Sequence, residues 1–169
     1  MSSGDEVELP AAGGRSVSRV GQTVRRETGP WTPAVHGLLR HLEDVGFDGA
    51  PRVRGIDDQG REVLSFVEGE EGHHANGEAL HHDRALLEVA RLVRRFHDAV
   101  AGFVPPAQAQ WRFLVDAPRQ GIVCHNDLAP VNTIICGGRA GGFHRLGLRG
   151  FRAAGVGQGM CRVVLRAVG

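Results

Sequence analysis

All 19 acidic residues of this 169-residue chain lie at or before Asp127, whereas its 20 arginines run on toward the end, six of them within residues 137–169. Residues 137–169 therefore carry a charge of +6 and residues 1–136 carry −5, from 14 arginines against 19 acids. Up to about residue 136 the chain has both charge signs with which to solvate the outer faces of strands and helices. Beyond it, the cations have no acids to balance them. The sequence thus predicts a folded body followed by an aberrant, poorly ordered Arg/Gly-rich tail over 137–169. All the basic residues are Arg, Tyr is absent and Gly numbers 25, a bias that fits GC-rich coding before it fits any function. Hydrophobic residues at 41% and charged residues at 23% exclude a fibrous or wholly disordered chain, and the length suits one domain or two small ones.

The body divides by pattern. Residues 1–14 read as a flexible lead-in. Ser16 to Val20 and Gln22 to Arg26 flank Gly21 as the two strands of a hairpin. Val35, Leu38, Leu39 and Leu42 then recur at helical spacing, with Thr32 expected as the N-cap and Gly46 just past the end. Arg52 to Ile56 and Glu62 to Val67 form a second expected hairpin around Asp57, Asp58, Gln59 and Gly60. Residues 15–67 make one α+β lobe on this reading, and the polar, Gly-containing residues 68–82 make a hinge or linker. From Asp83 to Ala101, Leu86, Leu87, Val89, Ala90, Leu92, Val93, Phe96 and Val100 line the apolar face of a helix, with Arg91, Arg94 and Arg95 toward solvent. That helix anchors a second, partial lobe over 83–136. Ile122 to Cys124 and Thr133 to Ile135 read as short strands on either side of a loop.

That loop carries the most chemistry. Residues 125–132 read His-Asn-Asp-Leu-Ala-Pro-Val-Asn, and the H-x-D-x-x-x-x-N spacing suits phosphoryl transfer to a hydroxyl. Asp127 is placed to accept the alcohol proton, Asn132 to ligate Mg²⁺, and His125 to brace the loop backbone. Asn126, Asp127, Pro130 and Asn132 also supply ordinary turn chemistry between two strands.

With these residues in view, the chain from about Val17 to Ile135 resembles the aminoglycoside phosphotransferase family of small-molecule kinases. Phe96-His97 matches the helix end that precedes the catalytic segment in that family, and His125, Asp127 and Asn132 match the segment itself. The resemblance implies an α+β, two-lobed, protein-kinase-like fold with an incomplete C-terminal helical lobe. It implies transfer of the γ-phosphoryl group of ATP or GTP, with Mg²⁺, to a hydroxyl of a small molecule. Arg25 or Arg26 would replace the family's phosphate-binding Lys, since Arg can grip phosphate bidentately. Ser65 to Gly69 would be the nucleotide hinge, with Phe66 and Glu68 beside the purine.

Two departures from the family stand out. The helix from Ala34 to Val45 places Val35, His36 and Leu39 where a Glu should face the cation. The second metal-binding Asp is also absent, because Phe143 to Leu148 occupies its place and no acid follows Asp127. Codons for Phe-His-Arg-Leu-Gly read one base later can encode Phe-Ile-Asp-Trp-Asp, so a frameshift near Gly137 would account for both the missing Asp and the tail. The resemblance then implies an impaired enzyme.

Other readings come from other features. The Arg/Gly-rich tail could contact nucleic-acid phosphates, but the acidic body and only Phe143 and Phe151 for stacking disfavour such a partner. His73, His74, His81 and His82 could take up zinc or nickel adventitiously, though they sit in a polar linker and read as a solvated loop. Cys124, Cys136 and Cys161 form no CxxC pair and read as reduced thiols. With no apolar run of about 18 residues and no signal-peptide pattern, the expected location is cytoplasmic with no membrane partner. The acceptor and the oligomeric state are left open by the sequence.

Overall fold

The computed structural model describes residues 5–9, 16–71, 83–111, 123–125, 133–136, 145–148 and 153–154. Five short strands, β1 (Glu6–Glu8), β2 (Val17–Val20), β3 (Thr23–Arg26), β4 (Val53–Ile56) and β5 (Glu62–Ser65), pair antiparallel in the order β1-β2-β3-β5-β4. The β2–β3 connection is the two-residue turn Gly21-Gln22, with Val20 opposite Thr23. Gly21 supplies the positive φ of 58° that this turn requires. Thr23 Oγ1 donates to the Val20 carbonyl at 2.7 Å and closes it.

The β4–β5 turn is organised by Asp57. Its Oδ1 accepts from the backbone N–H groups of Gln59 at 3.1 Å and Arg61 at 2.8 Å, satisfying donors that the loop would otherwise leave unpaired.

Helix α1 spans Thr32–Asp44 and begins one residue earlier than a Thr32 cap would allow. The Thr32 hydroxyl accepts from the N–H of Gly29 at 2.9 Å instead, so it faces back along the chain, and Trp31 becomes the N-cap without a side-chain bond. The far end closes as the sequence predicts. Phe47 N–H reaches the Leu42 carbonyl at 2.8 Å and Gly46 N–H the Glu43 carbonyl at 3.0 Å, with Gly46 at φ 75°. This paired arrangement satisfies two orphan carbonyls of the last turn.

Helix α2 spans Asp83–Val100. Short strands follow: β6 (Glu70–Glu71), which precedes α2 in the chain, then β7 (Cys124–His125), β8 (Thr133–Cys136), β9 (Arg145–Leu148) and β10 (Ala153–Ala154). β8 lies between β6 and β9, and β10 pairs with β7. Part of the expected hinge, Glu70–Glu71, is thus a strand opposite Ile134 and Ile135.

The expected two-lobed, protein-kinase-like fold is not what these residues build. They form a small antiparallel five-stranded sheet with two helices, and the apolar faces meet in one cluster. Val35, Leu38, Leu39 and Leu42 of α1 join Leu92, Phe96 and Val100 of α2, together with Phe47, Ala50, Leu64 and Val123. The physical reason is that each helix has a broad apolar stripe and the shortest way to remove both from water is to bury them together. Phe47 and Phe96 meet edge-on with centroids 5.9 Å apart. The sheet's own share of this cluster is small: Leu64 enters it, and Val53 packs against it partly buried.

Candidate functional site

The most unusual group in the described residues is a carboxylate inside the fold. Glu62 is 1% exposed, on β5 directly opposite Arg26 of β3 in the antiparallel register. Along β5 it shares a face with Leu64, because side chains alternate, so the same pleat that buries the leucine buries the carboxylate. Arg26 Nε donates to Glu62 Oε1, and His36 of α1 donates from Nε2 to Glu62 Oε2 at 3.0 Å. His36 is itself buried, while Arg26 keeps a quarter of its side chain in solvent.

Burial alone would raise the Glu62 pKa. The His36 hydrogen bond, followed by the charge and hydrogen bond of Arg26, outweighs it and holds the carboxyl below its ordinary value. Three elements are therefore joined at one ionised carboxylate, which satisfies the rule that buried charge must be paired and hydrogen-bonded.

Arg25 lies on the other face of β3. Its Nη1 reaches Thr23 Oγ1, and its Nε lies 3.8 Å from Asp57 Oδ2. Asp57 also receives Arg61 Nε at 2.9 Å, and Arg61 Nη1 continues to Glu6 Oε1 at 2.6 Å, where Ser18 Oγ donates as well. The Glu6 carboxyl is lowered by its hydrogen bonds to Arg61 and Ser18. For Asp57, desolvation works upward, but the Arg61 backbone and side-chain hydrogen bonds prevail and lower it.

Of the residues expected to bind nucleotide, Arg25 and Arg26 are thus turned to opposite faces, each toward an internal carboxylate. Phe66 lies under the Arg19 guanidinium, 3.7 Å from ring centroid to Cζ, and Glu68 Oε1 accepts from Gln22 Nε2 at 3.0 Å. Both therefore fasten the β2–β3 turn to the segment after β5. His125 lies in β7, with Ala153 as its strand partner. Asp127 and Asn132 lie outside the described residues, as do His73, His74, His81, His82 and Cys161.

Sequence reading missed Glu62, His36 and Asp57 as partners. For Glu62 the signal was present: in Glu62-Val63-Leu64 it has the parity of an inward leucine, which calls for a cation across the strand.

An open groove of about 460 Å³ runs between the C-terminal turns of α1 and α2, lined by His41, Phe47, Arg95 and Asp98 among others. Its polar groups are engaged with the protein: Arg95 with Asp48, Asp98 with Arg94, and His41 Nε2 with the Ala99 carbonyl at 2.9 Å. Among the described residues, no three or more His, Cys, Asp or Glu side chains gather as metal ligands, and no helix is long and apolar enough to cross a membrane.

No family model matches the chain, and no solved structure matches it. A curated relative does: the trifolitoxin immunity protein of Rhizobium leguminosarum bv. trifolii is 41% identical over 137 residues, covering 78% of this chain and 51% of the relative. The chain spans about half the length of that relative. This finding overturns the expected membership of the aminoglycoside phosphotransferase family, and with it the reading of the chain as an ATP- or GTP-dependent kinase of small-molecule hydroxyls. The relative carries an immunity function by name, and nothing in the comparison points to phosphoryl transfer. The alternative of a nucleic-acid-binding module with an Arg/Gly-rich tail gains no support from it either. The misreading has a physical source: Asn, Asp and Pro at loop spacing serve turns far more often than they serve catalysis, and one short spacing cannot separate the two.

Proposed function

We propose that this chain confers resistance to a toxin, in the manner that the name of its relative describes. The observation that carries the reading is the 41% identity across 78% of the chain, an extent that takes in most of the folded body rather than one loop. The fold is compatible with it. The polar contacts at Arg26–Glu62–His36 and at Glu6–Arg61–Asp57 are made within the chain, as expected of side chains that hold a scaffold in shape.

The test is direct. The chain is expressed in a trifolitoxin-sensitive strain, its soluble level is checked by immunoblot, and growth is scored over a toxin dilution series beside an empty vector and the full-length relative. Survival at toxin concentrations that clear the vector control is the expected result. Sensitivity equal to the vector, with the protein present and folded and the full-length relative protecting, would overturn the proposal for this chain.

A further inference from the structure

We infer that the Arg26–Glu62–His36 cluster is an acid-labile joint that fastens the five-stranded sheet to the helix pair. The inference is independent of the immunity reading and rests on how the two parts meet. α1 and α2 hold each other through Leu38, Leu39, Leu42, Leu92, Phe96 and Val100, all essentially out of solvent. The sheet reaches that cluster through Leu64 and, partly buried, Val53. Two polar ties also join them: Arg52 beside β4 lies 4.0 Å from the largely exposed Glu43 of α1, and inside the fold His36 of α1 binds one oxygen of Glu62 on β5, whose other oxygen Arg26 of β3 holds.

A joint of this kind is directional in pH. Arg26 and His36 are the groups that act most strongly on Glu62, so the site sets one carboxylate against one guanidinium and one imidazole. Protonating the carboxylate removes the charge on which both partners converge and leaves the Arg26 cation beside a neutral acid at a nearly dry position. The sign follows from the direction of the Glu62 shift. Its contribution is present in full above the ordinary carboxylate range, about pH 4, and is lost as pH falls through the lower value it has in the fold. The helix pair is held chiefly by apolar side chains, with His41 to the Ala99 carbonyl and the solvent-exposed Arg95–Asp48 pair at its edge, so acid should weaken it far less. Acid should therefore undock the sheet while α1 and α2 remain packed.

The experiment is amide hydrogen exchange on the whole chain from neutral pH down to about pH 3, with rates corrected for intrinsic exchange. In the wild type, protection at Val24, Val63 and Leu64 is expected to fall at least tenfold before protection at Leu39 and Leu92 changes. Glu62→Gln removes this titration and leaves only that of Glu6 and Asp57 on the other face of the sheet, so the gap between sheet and helices should depend on pH much less than in the wild type. Arg26→Met, which keeps the carboxylate and removes the cation, raises the Glu62 pKa and should move the loss of sheet protection to higher pH; it serves as the deciding variant if Glu62→Gln does not fold. Simultaneous loss of sheet and helix protection in acid, or an unmoved onset in Arg26→Met, would overturn the inference.

Discussion

The two faces of the sheet use the same residue types to different ends. On the face toward α1, one carboxylate, one guanidinium and one imidazole meet where Glu62 is 1% exposed. On the opposite face, Glu6, Arg61, Asp57 and Arg25 form a longer chain of ion pairs, but Glu6 keeps 44% of its side chain in water. Solvent and salt screen its outer end, the Arg61–Glu6 pair, which therefore contributes little. The inner cluster is screened far less, and its geometry is accordingly demanding: remove one member and another is left desolvated and unpaired. Burial, more than the number of ion pairs, decides which network holds the fold together.

Three substitutions would break or sharpen that contrast. The largest effect is expected for Glu62→Ala, which leaves His36 without its partner and Arg26 half-buried without its anion. Loss of a buried ion-pair partner costs about 3–5 kcal/mol, and the partial exposure of Arg26 places this case near about 3. Urea unfolding followed by circular dichroism would show it as a lower midpoint with an unchanged slope. A smaller effect is expected for His36→Leu, because Arg26 still neutralises Glu62 while one carboxylate oxygen loses its donor. About 1–2 kcal/mol is the scale for leaving a buried acceptor unsatisfied, and the same titration reads it. The smallest is Arg61→Gln on the outer face, where thermal melts should show a slight fall in Tm at low salt that vanishes in high salt. A large, salt-insensitive fall there would erase the distinction between the faces.

Much of the local structure is legible in the sequence. Gly21 between two polar-apolar runs marks the β2–β3 turn, Asp57 to Gly60 marks the β4–β5 turn, and Val35, Leu38, Leu39 and Leu42 mark α1 to within two residues at its start and one at its end. What is not legible is how these pieces meet. Periodicity shows that α1 and α2 each have an apolar face, but it does not say that the two faces share one cluster instead of serving separate lobes. Arg26 and Glu62 are 36 residues apart, and only the β3–β5 register sets them opposite each other. The functional reading went astray for a related reason. It leaned on the spacing of His125, Asp127 and Asn132, a local string, while the similarity to the immunity protein extends over 137 residues.

A double-mutant cycle compares the two faces most directly, with His36→Leu and Glu62→Gln on the inner face and Arg61→Gln and Glu6→Gln on the outer, each measured by urea unfolding at low and high salt. The inner pair should show a coupling energy above about 1 kcal/mol that persists in high salt, while the outer coupling fades to nothing. Equal couplings on both faces, or an inner coupling that salt removes, would contradict the claim that buried charge at Glu62 ties the sheet to the helices.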